Sequence, residues 1–169
     1  AGSRVPPVAS YRIEASYDAR EHRIDGKETV TFVNRTDAPI GELALHLYLN
    51  GFRNDLSTWM REDALPGGRT RSKRTDESRY GFIDINRIAL SDGTDLTPVV
   101  RFVSPDDGNP DDRTLAAIPL PRAVVPGETL VFDVDFVARL PRAVSRTGWK
   151  DDFVLAAQWF PKLAVAGSV

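Results

Sequence analysis

The densest chemistry in the chain is Gln158-Trp159-Phe160-Pro161-Lys162, which follows the apolar run Phe153 to Ala157. A side-chain amide both donates and accepts hydrogen bonds, and adjacent Trp and Phe rings bury large apolar area wherever a surface covers them. Two readings of this stretch stand side by side. Either the rings close the end of a β-sandwich from within, or Trp159, Phe160, Pro161, Leu163 and Val165 anchor a neighbouring domain.

The other reactive side chains are scattered. The sequence has two histidines and no cysteine. His46 lies between Leu45 and Leu47, so in a strand it points away from the leucine face. His22 falls in the charged stretch Arg20-Glu21-His22-Arg23 and reads as solvated. The two lack the i, i+4 spacing that puts both rings on one zinc, and no metal site is expected in this chain. Asp106, Asp107, Asn109, Asp111 and Asp112 surround Gly108 and Pro110, and hard oxygen ligands of this kind suit calcium. Their spacing departs from the calcium loop with ligands at positions 1, 3 and 5, Gly at 6 and Glu at 12, so a solvated loop is the simpler reading. The basic residues Arg69, Arg71, Lys73 and Arg74 are answered at once by Asp76 and Glu77 and carry no interleaved aromatics. They read as a charged loop rather than a phosphate or nucleic-acid patch.

Catalysis is then tested by elimination. The chain has no Gly-x-Ser-x-Gly elbow, no His-Glu-x-x-His, no phosphate loop and no dinucleotide fingerprint. The carboxylate pairs Asp133/Asp135 and Asp151/Asp152 read as solvated strand and turn positions. No catalytic residue is expected.

Composition narrows the class further. The 169 residues carry 22 Lys+Arg against 24 Asp+Glu, a net charge of −2 that gives no electrostatic reason for a nucleic-acid partner. A hydrophobic fraction of 41% is ordinary for a globular domain, and no apolar run approaches the roughly 18–20 residues of a membrane-spanning helix. The whole chain, residues 1–169, reads as one domain. Its small, Pro-rich start, Ala1-Gly2-Ser3-Arg4-Val5-Pro6-Pro7, is like a mature N-terminus or a remnant of cloning. A secreted or periplasmic location is favoured over a cytoplasmic one.

The elements that must position these residues are strands. Tyr11, Ile13, Ala15 and Tyr17 alternate with polar residues; Val30 and Phe32 do so after a turn expected at Asp25-Gly26. Leu43, Leu45, Leu47 and Leu49 make one wholly leucine face, and Leu130, Phe132, Val134 and Phe136 make another. Period-two alternation is the mark of half-buried antiparallel strands. Weaker strands are expected at Gly81–Leu90, Leu96–Val103, Leu115–Leu120 and Phe153–Trp159. Turn-forming clusters at 34–39, 91–94 and 125–128 separate them, and Asn50 to Arg79 forms a long polar insertion. The pattern predicts an all-β antiparallel β-sandwich of about seven or more strands with long loops.

Read in order, several runs resemble the N-terminal domain of the aminopeptidase N family of zinc metallopeptidases (gluzincins). Tyr11-Arg12-Ile13-Glu14 with Ile24-Asp25-Gly26-Lys27-Glu28-Thr29-Val30 is similar to that family's opening strands. Glu42-Leu43-Ala44-Leu45-His46-Leu47 resembles its "L-x-L-H-L" strand, and Val125-Pro126-Gly127-Glu128-Thr129-Leu130 its "P-G-E" hairpin. Gln158-Trp159-Phe160-Pro161-Lys162 looks like the "Q-W-F-P-K" junction of a bacterial branch. The resemblance implies a saddle-like, non-catalytic sandwich that precedes a thermolysin-like domain. Zinc, the general-base Glu and the substrate loop would belong to that domain, absent here, and this chain would need no cofactor. The implied partners are the catalytic domain of the same polypeptide and the peptide substrate of the parent enzyme. By the same resemblance, Gln158 is the candidate for binding the free amino end of a peptide. The chain departs from the better-known branch after this junction. The alternative from a different class is a free-standing sandwich that binds carbohydrate or protein through aromatics such as Tyr48, Trp59, Trp149 or Trp159. A flat row of such rings would mark it.

Overall fold

The computed structural model describes residues 7–64, 77–104, 107–142 and 147–164. Val165, Asp106 and the basic residues Arg69 to Arg74 lie outside that set. The described chain is all-β and antiparallel. Its strands are β1 (Ala9–Asp18), β2 (Arg23–Val33), β3 (Ile40–His46), β4 (Phe82–Leu90), β5 (Arg101–Phe102), β6 (Leu115–Val124), β7 (Thr129–Arg139), β8 (Gly148–Lys150), β9 (Phe153–Leu155) and β10 (Lys162–Leu163). One sheet has the order β1-β2-β7-β4, the other β10-β3-β6-β5, and β8 and β9 form a separate two-stranded ribbon.

Alternation decides which side chains face inward. Val30 and Phe32 of β2, Phe132, Val134 and Phe136 of β7, and Ile83 and Ile88 of β4 are buried from the first sheet. Leu43 and Leu45 of β3 and Ala116, Ile118 and Val124 of β6 are buried from the second, and all join one hydrophobic cluster. Two sheets sharing one core in this way form a sandwich.

The turns are made by the residues the sequence offers. Asn34 is buried, and its amide donates to the carbonyls of Ala38 (2.9 Å) and Val124 (2.8 Å) while its oxygen accepts from the Thr36 amide and hydroxyl. One side chain thereby satisfies the backbone of the β2–β3 connection. Gly127 turns the β6–β7 hairpin at φ 81°, a left-handed conformation that costs glycine least.

Several elements differ from the sequence expectation. The β1–β2 turn lies at residues 19–22, and Asp25-Gly26 sits inside β2. Gly26 is there for space: a Cβ on it would fall 2.2 Å from Cζ of Phe136, whose ring lies across the position. The leucine run leaves its strand at Leu47, because residues Tyr48–Phe52 form a 3-10 turn. Leu47 and Leu49 stay buried all the same. Buried Asn50 makes this possible, donating to the Arg113 carbonyl (2.7 Å) and accepting from the Ile83 amide (2.9 Å). Within Leu96–Val103, Thr97–Val99 form a 3-10 turn, and β5 is left with only two residues. Within the long insertion a six-residue helix, α1 (Thr58–Asp63), is capped by the Ser57 side chain.

Gly26→Ala is expected to destabilise the fold by about 1–3 kcal/mol through overpacking against Phe136. Urea unfolding would measure it; an unchanged midpoint would mean that the ring swings aside freely.

Candidate functional site

Residues 147–164 carry the sequence candidates, and Thr147 fixes how they leave the ribbon. Its hydroxyl lies within hydrogen-bonding reach of the Leu155 carbonyl (3.2 Å) and the Ala157 carbonyl (3.1 Å), and it accepts from the Ala157 amide (3.2 Å). Gln158 then adopts a left-handed φ of 55°, which turns the chain back onto the sandwich. From there the segment runs along the open side between the edge strands of the two sheets. Trp159 packs on Phe136 (ring centroids 6.0 Å apart), and Phe160 meets Tyr11 edge-on at 5.7 Å. The Leu163 amide donates to the Tyr11 hydroxyl (3.0 Å), and β10 pairs with β3 through Lys162–His46 and Leu163–Leu45. A strand from one sheet edge is thereby tied to a strand from the other.

This placement describes the sequence candidates concretely. Trp159, Phe160 and Leu163 are part-buried and pack against the core, and Pro161 is buried. The uncovered apolar side chains lie just upstream, on β9: Phe153 is 68% exposed, with Val154 and Leu155 beside it at 38% and 47%. Gln158 is exposed. Its side-chain oxygen accepts a hydrogen bond of 2.5 Å from the ammonium of Lys162, which also sits 5.0 Å from the centre of the Phe160 ring.

The remaining candidates have ordinary structural partners. His46 stacks on Tyr48 at 4.9 Å, and burial pushes its imidazole below the usual range. His22 is not freely solvated, as its charged neighbours had suggested. It stacks on Trp149 at 3.6 Å and bonds the Tyr17 hydroxyl through Nδ1, because the turn it ends folds against β8. Asp107 accepts from the Thr58 hydroxyl and the Asn109 amide, and Asp112 accepts from the Thr58 amide (3.0 Å). These two acids latch α1 to the sandwich. Among the described residues no cluster of three or more His, Cys, Asp or Glu side chains is placed to hold a metal ion. Nor does any described helix have the length and apolarity to cross a membrane. Tyr48, Trp59, Trp149 and Trp159 do not form a row; each packs on a different neighbour, Tyr48 and Trp149 stacking on His46 and His22, Trp59 meeting Phe52 edge-on, and Trp159 meeting Phe136 at a tilt and Phe160 edge-on.

One residue was not singled out from the sequence. Glu28 is fully buried on the inner face of β2, and neither carboxylate oxygen has a hydrogen-bond partner among the described residues. It stands between Gly26, crossed by Phe136, and Val30, paired with Tyr11; its own cross-strand neighbours are Ile13 and Val134. Trp159 packs on Phe136 and Phe160 on Tyr11, and the Tyr11 phenol, which accepts from the Leu163 amide, also feels the Glu28 charge, which sets Glu28 beside the returning segment. The signal was available: Glu28 shares the inward parity of Val30 and Phe32.

Desolvation raises the Glu28 carboxyl from 4.5 to about 8. Between those values the folded chain keeps a proton that the unfolded chain has lost. The stability associated with the neutral acid is therefore complete below pH 4.5 and drains away as the pH rises through about 8. The loss is on the order of 5 kcal/mol across that span. The depressed histidines act oppositely, costing stability as the pH falls below their unfolded value. Glu28→Gln should remove the alkaline loss and leave the acid limb in place. Denaturant midpoints of both proteins from pH 5 to pH 9 would show it, and parallel curves would refute it.

Neither protein-family models nor curated proteins give a match to this chain.

Proposed function

We propose that the chain is the non-catalytic N-terminal β-sandwich of a zinc metallopeptidase of the aminopeptidase N type. In this reading it docks on the catalytic domain and walls one side of the substrate cleft. The supporting observation is the state of Gln158. Its amide oxygen is exposed, stands on a turned backbone, and already receives an ammonium group, that of Lys162. A peptide's free amino end is the same kind of donor and makes the same demand on that oxygen. The amide would orient the substrate, while zinc and the groups that activate water would come from the partner domain.

Docking has its own physical argument. Three consecutive apolar side chains, Phe153, Val154 and Leu155, are exposed on a ribbon only three residues long per strand. A small ribbon cannot bury both of its faces by itself, so such side chains gain most from an apolar partner surface. Gln158 follows three residues later, at the rim of that ribbon, where a cleft wall would present it. The binding-module alternative asks for a flat aromatic platform, and the separation of Tyr48, Trp59, Trp149 and Trp159 counts against it.

Gln158→Ala in the polypeptide that carries this chain should raise KM for peptides with a free amino end by about tenfold, the scale of a hydrogen bond to a charged group. The kcat should change little, and N-acetylated peptides should be cleaved equally by both forms. A reading frame without a zinc-binding His-Glu-x-x-His, or an unchanged KM, would overturn the proposal. Replacing both Phe153 and Leu155 by Ser should leave the thermal midpoint of the sandwich unchanged and weaken its association with the catalytic domain, measured by calorimetry. Equal association would place the docking surface elsewhere.

A further inference from the structure

Glu28 is a conflict between local chemistry and global fold. An unpartnered carboxyl in an apolar core costs free energy in its neutral form and far more as a carboxylate. No cation faces it from the elements packed around it among the described residues. Its cross-strand neighbours are Ile13 of β1 and Val134 of β7, with Tyr11 and Phe136 next along those strands, and Phe160 and Trp159 of the returning segment pack on those two rings. On the second sheet β3 presents Leu43 and Leu45 inward, while His46, at the opposite parity, pairs with Lys162. Lys162 is itself turned to Gln158 and Phe160. Lys27, Thr29, Asp133 and Asp135 occupy the outer parity of their strands. The Tyr11 phenol is raised first by burial and further by the Glu28 charge.

The cover over Glu28 is thin. Among the described residues, 158–164 are held by the packing of Trp159, Phe160, Pro161 and Leu163, by the Tyr11 hydroxyl, by a two-residue ladder with β3, and by the bond from the Ala164 amide to the Ala44 carbonyl (2.8 Å). The other strands beside Glu28 are ten or eleven residues long and are paired along their length, β1 with β2 and β7 with both β2 and β4. If water is to reach the carboxyl, lifting this short segment disturbs least.

We propose that residues 158–164 form a detachable seam of the sandwich, held closed while Glu28 is protonated and released as its carboxyl ionises. The seam carries Gln158, Trp159 and Phe160, so its release withdraws the exposed amide from its fixed position. The inference concerns this chain alone and holds whether or not the metallopeptidase reading does.

Linkage sets the size of the effect. A seam whose opening returns Glu28 to water opens about tenfold more often per pH unit between the two titration points, and no more above them. Hydrogen exchange of the purified chain, corrected for intrinsic rates, reads this at the Leu163 and Ala164 amides, which are bonded to Tyr11 and Ala44. Their protection should fall about tenfold per pH unit from pH 5 to pH 8 and then level off. At every pH it should stay well below that of amides in β2 and β7. In Glu28→Gln, or Glu28→Leu where Gln does not fold, it should be independent of pH. Protection at Leu163 and Ala164 equal to that of the central strands would mean that the seam opens only with global unfolding. That result, a pH-independent wild type, or a variant that keeps the wild-type slope would each overturn the proposal.

Discussion

A two-sheet sandwich has an open side wherever edge strands of the two sheets face each other without a shared backbone ladder, and this protein closes one such side with side chains. The β1 edge and the β10 edge meet through the Tyr11 hydroxyl, which receives the Leu163 amide, and through the rings of Phe160 and Trp159. Everything on the inner face near that side depends on this closure. Without it Phe136, Tyr11 and Glu28 would border solvent, and β10 would be left with a two-residue ladder as its only sheet pairing. Burial of two aromatic rings is the largest favourable term available to so short a segment. The same rings that a sequence reader takes for a partner's anchor are thus engaged in closing the fold.

Glu28 shows the limit of that closure. Inward positions of β2 before and after it hold Ile24, Val30 and Phe32, all buried, so a leucine there would satisfy packing better than a carboxylic acid. Natural chains keep such local conflicts where something else depends on them. Here the conflict falls under the least firmly attached part of the sandwich rather than beneath its long strands. A buried acid in the middle of β7 would threaten the whole fold; beneath residues 158–164 its cost can be relieved by moving a few residues.

The sheets were legible because alternation is a two-residue signal that survives without tertiary context. Leu43, Leu45, Phe132, Val134 and Phe136 point where the pattern puts them. The failures have specific causes. Asp25-Gly26 has turn composition, but the glycine answers a ring from β7, a contact between residues more than a hundred positions apart. The strand expected from Leu96 to Val103 gave way to a 3-10 turn because the Thr97 side chain bonds the Ile88 amide and the Asp95 carboxylate, fixing a bend. At the candidate site the stretch from Gln158 to Lys162 was recognisable as unusual, but its left-handed turn and the Lys162–Gln158 bond follow from how the segment folds back. Glu28 was in plain view as a charged residue of inward parity, yet parity is read from neighbours, and one acid among them looks like noise until burial is known.

Surface chemistry separates the two faces that a partner domain would have to choose between. The outer face of the first sheet bears Lys27 beside Asp135 at 3.9 Å, Arg23 paired with Asp25, Arg12 with Glu14, and the Thr29 hydroxyl on Asp133. Such exposed pairs contribute little to stability, but they are well hydrated, and covering them would require a partner to replace that water group by group. The β8–β9 ribbon presents the opposite case. Its Phe153, Val154 and Leu155 release ordered water on contact and ask for no matching charges. It is braced from behind by Trp149 on His22 and by Thr147 on the strand that leaves it. A braced, apolar, short ribbon next to an exposed amide suits the docking proposed above, because little conformational entropy would remain to be lost on binding.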